Sequence, residues 1–148
     1  MVKVLKTNAC SDQEDPILAV IDMLRFGEDM LADMYFGEDD DDAEAQAVDR
    51  LLAPPTEALE FWPTRAQTAR GAAAALRLAM EGLNLDEDAS VPLSLLCVVL
   101  GFLEGSDDAL ELVRPAREKI ANSGGLHDPI PNGRALLESI FPDRPIAA

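Results

Sequence analysis

The stretch SVPLSLLCVVLGFLE, Ser90 to Glu104, decides the fold. Its apolar residues, Leu93, Leu95, Leu96, Val98, Val99, Leu100, Phe102 and Leu103, fall on every side of a helix. A helix that is apolar all round is buried all round, so 91–104 reads as the central element, capped by Ser90 and ended by Gly105. It does not read as a membrane span: the charge-free run from Ala89 to Leu103 has 15 residues, against the roughly 18–20 that a span needs.

On its N-terminal side, Asp86-Glu87-Asp88 reads as a charged loop. Before it, Thr64-Arg65-Ala66-Gln67 has the form of a capping box and predicts a helix over 64–84. The expected packing face is Ala66, Ala69, Ala73, Leu76, Met80 and Leu83. Alanines let helix axes approach closely, and such a face packs either internally or across a two-fold axis, which leaves a homodimer open. Leu59, Phe61 and Trp62 fall in a short connector over 56–63, an irregular segment or a single helical turn, and Pro54-Pro55 is expected to stop a helix with the stripe Ala47, Val48, Leu51 and Leu52.

The first helix opens at Asp15-Pro16, an N-cap followed by a proline at the first helical position. Ile17, Val20, Ile21, Leu24, Leu31, Met34 and Tyr35 continue it at helical period, with a kink expected at Gly27 and the end at Gly37. On the C-terminal side of the central helix, Ser106 caps a helix with the face Leu110, Val113, Ala116 and Ile120, bent at Pro115 and stopped by Gly124-Gly125. Asn132 caps a last short helix bearing Leu136, Leu137, Ile140 and Phe141, with Pro142 and Pro145 beyond it. No fixed-period repeat appears. The expected fold is all-α, an irregular bundle of five to six helices around 91–104, with residues 1–14 an irregular arm and 15–148 one helical domain.

The chain has 148 residues, enough for one core, and its net charge is -16, from 28 Asp and Glu against 12 Lys and Arg. So acidic a chain does not grip nucleic acid directly, because clustered cations supply that affinity. The acidity is uneven: residues 1–60 carry 16 acidic and 4 basic residues, net -12, and residues 61–148 carry 12 and 8, net -4. The N-terminus lacks the apolar core of a secretory signal, so the expected setting is the cytoplasm. There Cys10, in the polar arm, and Cys97, in the apolar helix, are expected to stay reduced.

No catalytic constellation emerges, and we expect neither enzymatic activity nor a bound cofactor. His127 is the only imidazole, and its neighbour Asp128 is too close in sequence to make a relay. There are no Glu-x-x-His pairs for a di-iron bundle and no Cys/His spacing for zinc. An EF-hand counted from Asp39 would need Gly at Glu44 and Glu at Arg50; counted from Asp86, it fails at Val91 and Cys97. No glycine-rich phosphate loop is present. Arg70 and Arg77 share a helix face, and internal ion pairing is expected for them and for Arg65. A carboxylate-based enzyme or weak divalent-metal binding at the acidic run stands as the alternative from another class.

The candidate functional residues are acidic. Asp22, Asp29 and Asp33 recur on one helix face, about 10 Å and 6 Å apart by helical rise, with Asp15 continuing the line and Arg25 interrupting it. Glu38, Asp39, Asp40, Asp41 and Asp42 follow as a run, where helix-dipole stabilisation of a first turn is the plainer explanation. Together they point to a non-enzymatic interaction module or regulator that binds a basic protein surface. A nucleic-acid mimic that inhibits a DNA- or RNA-binding enzyme ranks second, because phosphate-like spacing is only partly met.

Three stretches also carry a resemblance: Glu14 to Asp22 (EDPILAVID), Leu51 to Leu59 (LLAPPTEAL) and Ala72 to Glu81 (AAAALRLAME). They resemble a loose group of small, uncharacterised helical proteins of alphaproteobacteria and their mobile elements, over residues 14–84. The resemblance implies a bacterial cytoplasmic helical protein and transfers no activity and no functional residue.

Overall fold

The computed structural model describes residues 14–84, 89–122 and 131–143, and every regular element among them is helical. In chain order these are α1 (Pro16–Asp33), α2 (Asp41–Leu51), α3 (Ala53–Glu60), α4 (Ala69–Asn84), α5 (Ser90–Glu104), a 3-10 segment (Asp107–Val113), α6 (Arg114–Asn122) and α7 (Pro131–Ile140). The arm 1–13 with Cys10, the acidic 86–88 loop, Gly124-Gly125, His127, Asp128 and Pro145 lie outside the described residues.

Local chemistry sets the ends as expected at three places. Asp15 caps α1, its Oδ1 accepting from the Ile17 N–H at 3.3 Å, with Pro16 in the first turn. Gly105 closes α5 at φ 68°, a left-handed conformation that a side chain would strain. Ser106 caps the 3-10 segment, its Oγ accepting from the Asp108 N–H at 3.1 Å.

Prolines depart in part from expectation. α2 ends at Leu51, just before Pro54-Pro55, as expected, but the two prolines also lie in the first turn of a further helix, α3, where a missing N–H costs nothing. The expected 56–63 connector is therefore mostly helix, and α2 and α3 follow each other with only Leu52 between them. Pro115 likewise does not bend one long helix but sits in the first turn of α6, after the 3-10 segment. These junctions bring the element number above the five to six helices expected. Gly27 lies inside α1, which runs on unbroken past it, and is buried. A Cβ there would meet the Leu51 carbonyl oxygen at 2.8 Å, so glycine lets α1 approach the α2–α3 junction. α1 ends at Asp33, not at Gly37, and Tyr35 is 94% exposed instead of joining the apolar stripe.

The core gathers Ile17, Val20, Leu59, Trp62, Leu95, Val98 and Leu137. Trp62 meets Phe141 edge-on, ring centroids 5.3 Å apart and planes at 75°, which ties α7 to the end of α3. α5 packs against α3, α4 and the 3-10 segment, and α1 against α2, α3 and α4. α5 is central but not buried all round. Pro92, Ser94, Leu95, Cys97, Val98 and Gly101 face inward, while Leu93, Leu100 and Leu103 are exposed. Of the face expected on α4, only Ala66, which precedes the helix, is buried; the helix itself turns the other way. Gly71, Ala72, Ala75, Leu78 and Ala79 are buried, and Ala69, Ala73, Leu76, Met80 and Leu83 are exposed. The inner line is the one with the smaller side chains, because α1 and α5 press closely on it.

The expected Thr64 capping box does not form. The Thr64 hydroxyl and the Gln67 amide both donate to the Arg65 carbonyl oxygen, and α4 begins later. Its cap is Thr68, whose Oγ1 accepts from the Gly71 N–H at 3.0 Å. Asp15, 2% exposed, reaches this same helix start. Its Oδ2 accepts from the Gln67 N–H at 2.7 Å, the Thr68 N–H at 2.9 Å and the Thr68 hydroxyl at 3.3 Å. One buried carboxylate thus terminates two helices, and a Cβ on Gly71 would collide with it.

Replacing Asp15 with alanine strands several donors in the interior, each worth about 1–3 kcal/mol. The expected loss for Asp15→Ala is about 2–4 kcal/mol of unfolding free energy, with a smaller loss for Asp15→Asn, which keeps one acceptor. Urea unfolding checks both; a loss for Asp15→Ala no larger than that of an ordinary surface change contradicts this account.

Candidate functional site

Asp22, Asp29 and Asp33 are all exposed on α1, as the ridge requires. Asp15 does not extend that ridge, because its carboxylate is turned inward to the start of α4. Arg25 lies beside the ridge and spans two helices, pairing with Glu28 at 3.1 Å and with Glu81 of α4 at 2.5 Å. Glu38, Asp39 and Asp40 occupy the turn between α1 and α2, and Asp41 and Asp42 begin α2. All five are exposed, and the Asp40 N–H donates to the Gly37 carbonyl oxygen at 3.1 Å. Asp41, Asp42 and Glu44 fill the first turn of α2, where the dipole favours them. Among the described residues, no three His, Cys, Asp or Glu side chains are placed to hold a metal ion.

The structure adds a feature that the acidic pattern concealed. Met23, Phe26 and Met30, with Met34 just past the helix end, are exposed at spacings of three, four and four residues. Phe26 is 64% exposed. At about 100° per residue this stripe lies roughly 80° round α1 from Asp22, Asp29 and Asp33. A carboxylate ridge and a methionine-rich apolar stripe thus run side by side along one helix. The stripe leads into a shallow groove of about 350 Å³ between the end of α1 and α2, lined by Met30, Met34, Phe36, Ala47 and Leu51, with Arg50 also on its wall. The 3.6-residue period was legible in the sequence, but only the packing of α1 shows that this second set of apolar residues stays outside.

Comparison of the chain with protein families, curated sequences and solved structures finds no match in any of the three.

Of the three arginines expected to form ion pairs, one does. Arg65 pairs with Asp107 at 3.9 Å and donates its backbone N–H to the same carboxylate at 3.0 Å. Arg70 and Arg77 are exposed and form no ion pair among the described residues. A further cation, Arg117 on α6, is half-buried instead. It donates to the Trp62 carbonyl oxygen at 2.9 Å and to Ser94 Oγ at 2.7 Å, and Ser94 in turn donates to the Leu59 carbonyl oxygen at 3.0 Å. Burial pulls the Arg117 guanidinium below its usual value and pushes the Cys97 thiol up, Arg117 only partly opposing the latter. Cys97 is thereby kept a thiol rather than a thiolate nucleophile. The cluster fastens α6 and α5 to the end of α3 and leaves space for little more than a water molecule.

Glu57 on α3 is the strained titratable group. Its Oε2 is buried without a hydrogen-bond partner among the described residues, and a Cβ on Gly133 would press against it. Burial, with Glu60 adding to it, pushes its carboxyl above the usual range, and Arg134 only partly opposes this. A carboxyl raised in the folded state stabilises the fold below its unfolded value and loses that contribution as pH rises through the raised value. Glu57→Gln removes the loss. The expected outcome is a higher urea midpoint than the parent at neutral pH and no such difference at about pH 3, below the ordinary carboxyl value, where both states hold the proton. An unchanged or lower midpoint at neutral pH contradicts the account.

Proposed function

We propose that the protein is a non-enzymatic interaction module of the bacterial cytoplasm whose α1–α2 surface takes a basic amphipathic helix of a partner protein. The observation that supports this most is the pairing, along α1, of the Asp22, Asp29 and Asp33 ridge with the Met23, Phe26 and Met30 stripe. A partner helix with one cationic and one apolar face matches both lines at once. Methionine side chains are flexible and polarisable, so they repack around differing apolar surfaces. The Glu38 to Asp42 run extends the negative field past the groove, and the field speeds encounter with a cationic partner at the cost of salt sensitivity. A phosphate-mimicking face needs a long ridge of evenly spaced carboxylates and makes no use of the apolar stripe, so the pairing of ridge and stripe favours the helix-binding reading over the mimic.

Two labelled peptides of equal positive charge test the proposal, one helical with an apolar face and one without. Binding of both is expected at low salt, with the amphipathic peptide retained at higher salt. Lys at Asp22, Asp29 and Asp33 together is expected to weaken both by at least about tenfold. Phe26→Ala is expected to weaken only the amphipathic peptide. If the triple variant binds as the parent does, the ridge is only a solvated face; if Phe26→Ala changes nothing, the stripe has no part in recognition.

A further inference from the structure

The exposed residues of α4 and α5 form a second apolar face, independent of the α1–α2 surface. A Cβ on Gly82 would meet Pro92 Cγ at 2.8 Å, which sets positions 82 and 92 level in two antiparallel helices. At equal rise, Arg70 is then level with Glu104 on the opposite helix. On α4 the outward stripe is Ala69, Ala73, Leu76, Met80 and Leu83; on α5 it is Leu93, Leu96, Leu100 and Leu103, with Leu96 half-buried. Met80 is 56% and Leu103 74% exposed. Traced round each helix from the contact line between them, both stripes turn to the same side of the pair.

The charges of this helix pair lie at its edges. α4 carries only Arg70, Arg77 and Glu81, all on its α1 side, and α5 carries only Glu104, at its far edge. The face between is free of charge, as the centre of a homodimer interface is. It is also self-complementary, with a basic edge on one helix and an acidic edge on the other.

We propose that this face is covered by the same face of a second copy, about a two-fold axis parallel to the helices, giving a four-helix bundle. That axis preserves level and lays α4 over the partner's α5, so Arg70 comes opposite the partner's Glu104, twice in the dimer. The closed two-fold arrangement requires a patch that complements itself, and the opposed edges supply that. A face about 24 Å long and about 20 Å wide buries roughly 900 Å² over two copies, below the roughly 1,200 Å² of stable complexes and in the range of a weak, reversible dimer. The acid-rich α1 and α2 lie outside this interface, so the two copies do not bring their strongest charge together.

Sedimentation of the full chain over a range of concentrations tests it. A reversible dimer is expected. Met80→Glu and Leu103→Glu are each expected to weaken it at least about tenfold with unchanged helical circular dichroism, since both side chains are exposed in the protomer. Arg70→Glu and Glu104→Arg are each expected to weaken the dimer, and the double reversal to restore it. A monomer up to near-millimolar concentration overturns the proposal, as does a dimer indifferent to both stripe variants. A dimer that the stripe variants break but the double reversal does not rescue overturns the two-fold register.

Discussion

Everything in the arrangement of α1 and α4 depends on the Asp15 carboxylate. It lies at the start of both helices, accepting backbone N–H groups from Ile17, Gln67 and Thr68. Two sets of orphan helix donors and two positive dipole ends thus converge on a single negative group, which is what makes a buried, unpaired carboxylate tolerable there. With those helix starts held together, the two helices run side by side as far as the Arg25–Glu81 bridge. The inner line of α4 must then be small, and Gly71, Ala72, Ala75 and Ala79 occupy it.

That close approach has a consequence for the surface. The larger residues of α4, Leu76, Met80 and Leu83, are displaced outward, and α5 turns Leu93, Leu100 and Leu103 to the same side. α1 does the same with Met23, Phe26 and Met30. Large exposed apolar side chains set in contiguous lines, rather than scattered singly, mark interaction surfaces. Each line has its own electrostatic border: carboxylates beside the α1 stripe, and opposed arginine and glutamate edges beside the α4–α5 stripe. The two surfaces accordingly suit different occupants, a cationic helix at one and an identical face at the other.

The polar interior serves assembly. Arg117, Ser94 and the carbonyl groups of Leu59 and Trp62 join α6, α5 and the end of α3 through hydrogen bonds that leave no room for a substrate. Glu57 is held between α3 and α7 with one oxygen that has no hydrogen-bond partner among the described residues, a local cost accepted where Gly133 lets the two helices meet.

By itself the sequence determined the helical class, the caps at Asp15, Gly105 and Ser106, and the exposure of Asp22, Asp29, Asp33 and the 38–42 run. Those outcomes follow from backbone hydrogen bonding and charge solvation within a few residues, so they are written locally. Tertiary structure alone decided which side of α4 and α5 faces inward, that Thr68 rather than Thr64 caps α4, and that Pro54-Pro55 opens a helix. Apolar residues occur on more than one side of α4 and α5, so periodicity offers two nearly equivalent faces. The choice between them was made by steric fit: on α4 the close neighbours favour the line of Gly71, Ala72, Ala75 and Ala79, with Leu78 the one large side chain admitted among them.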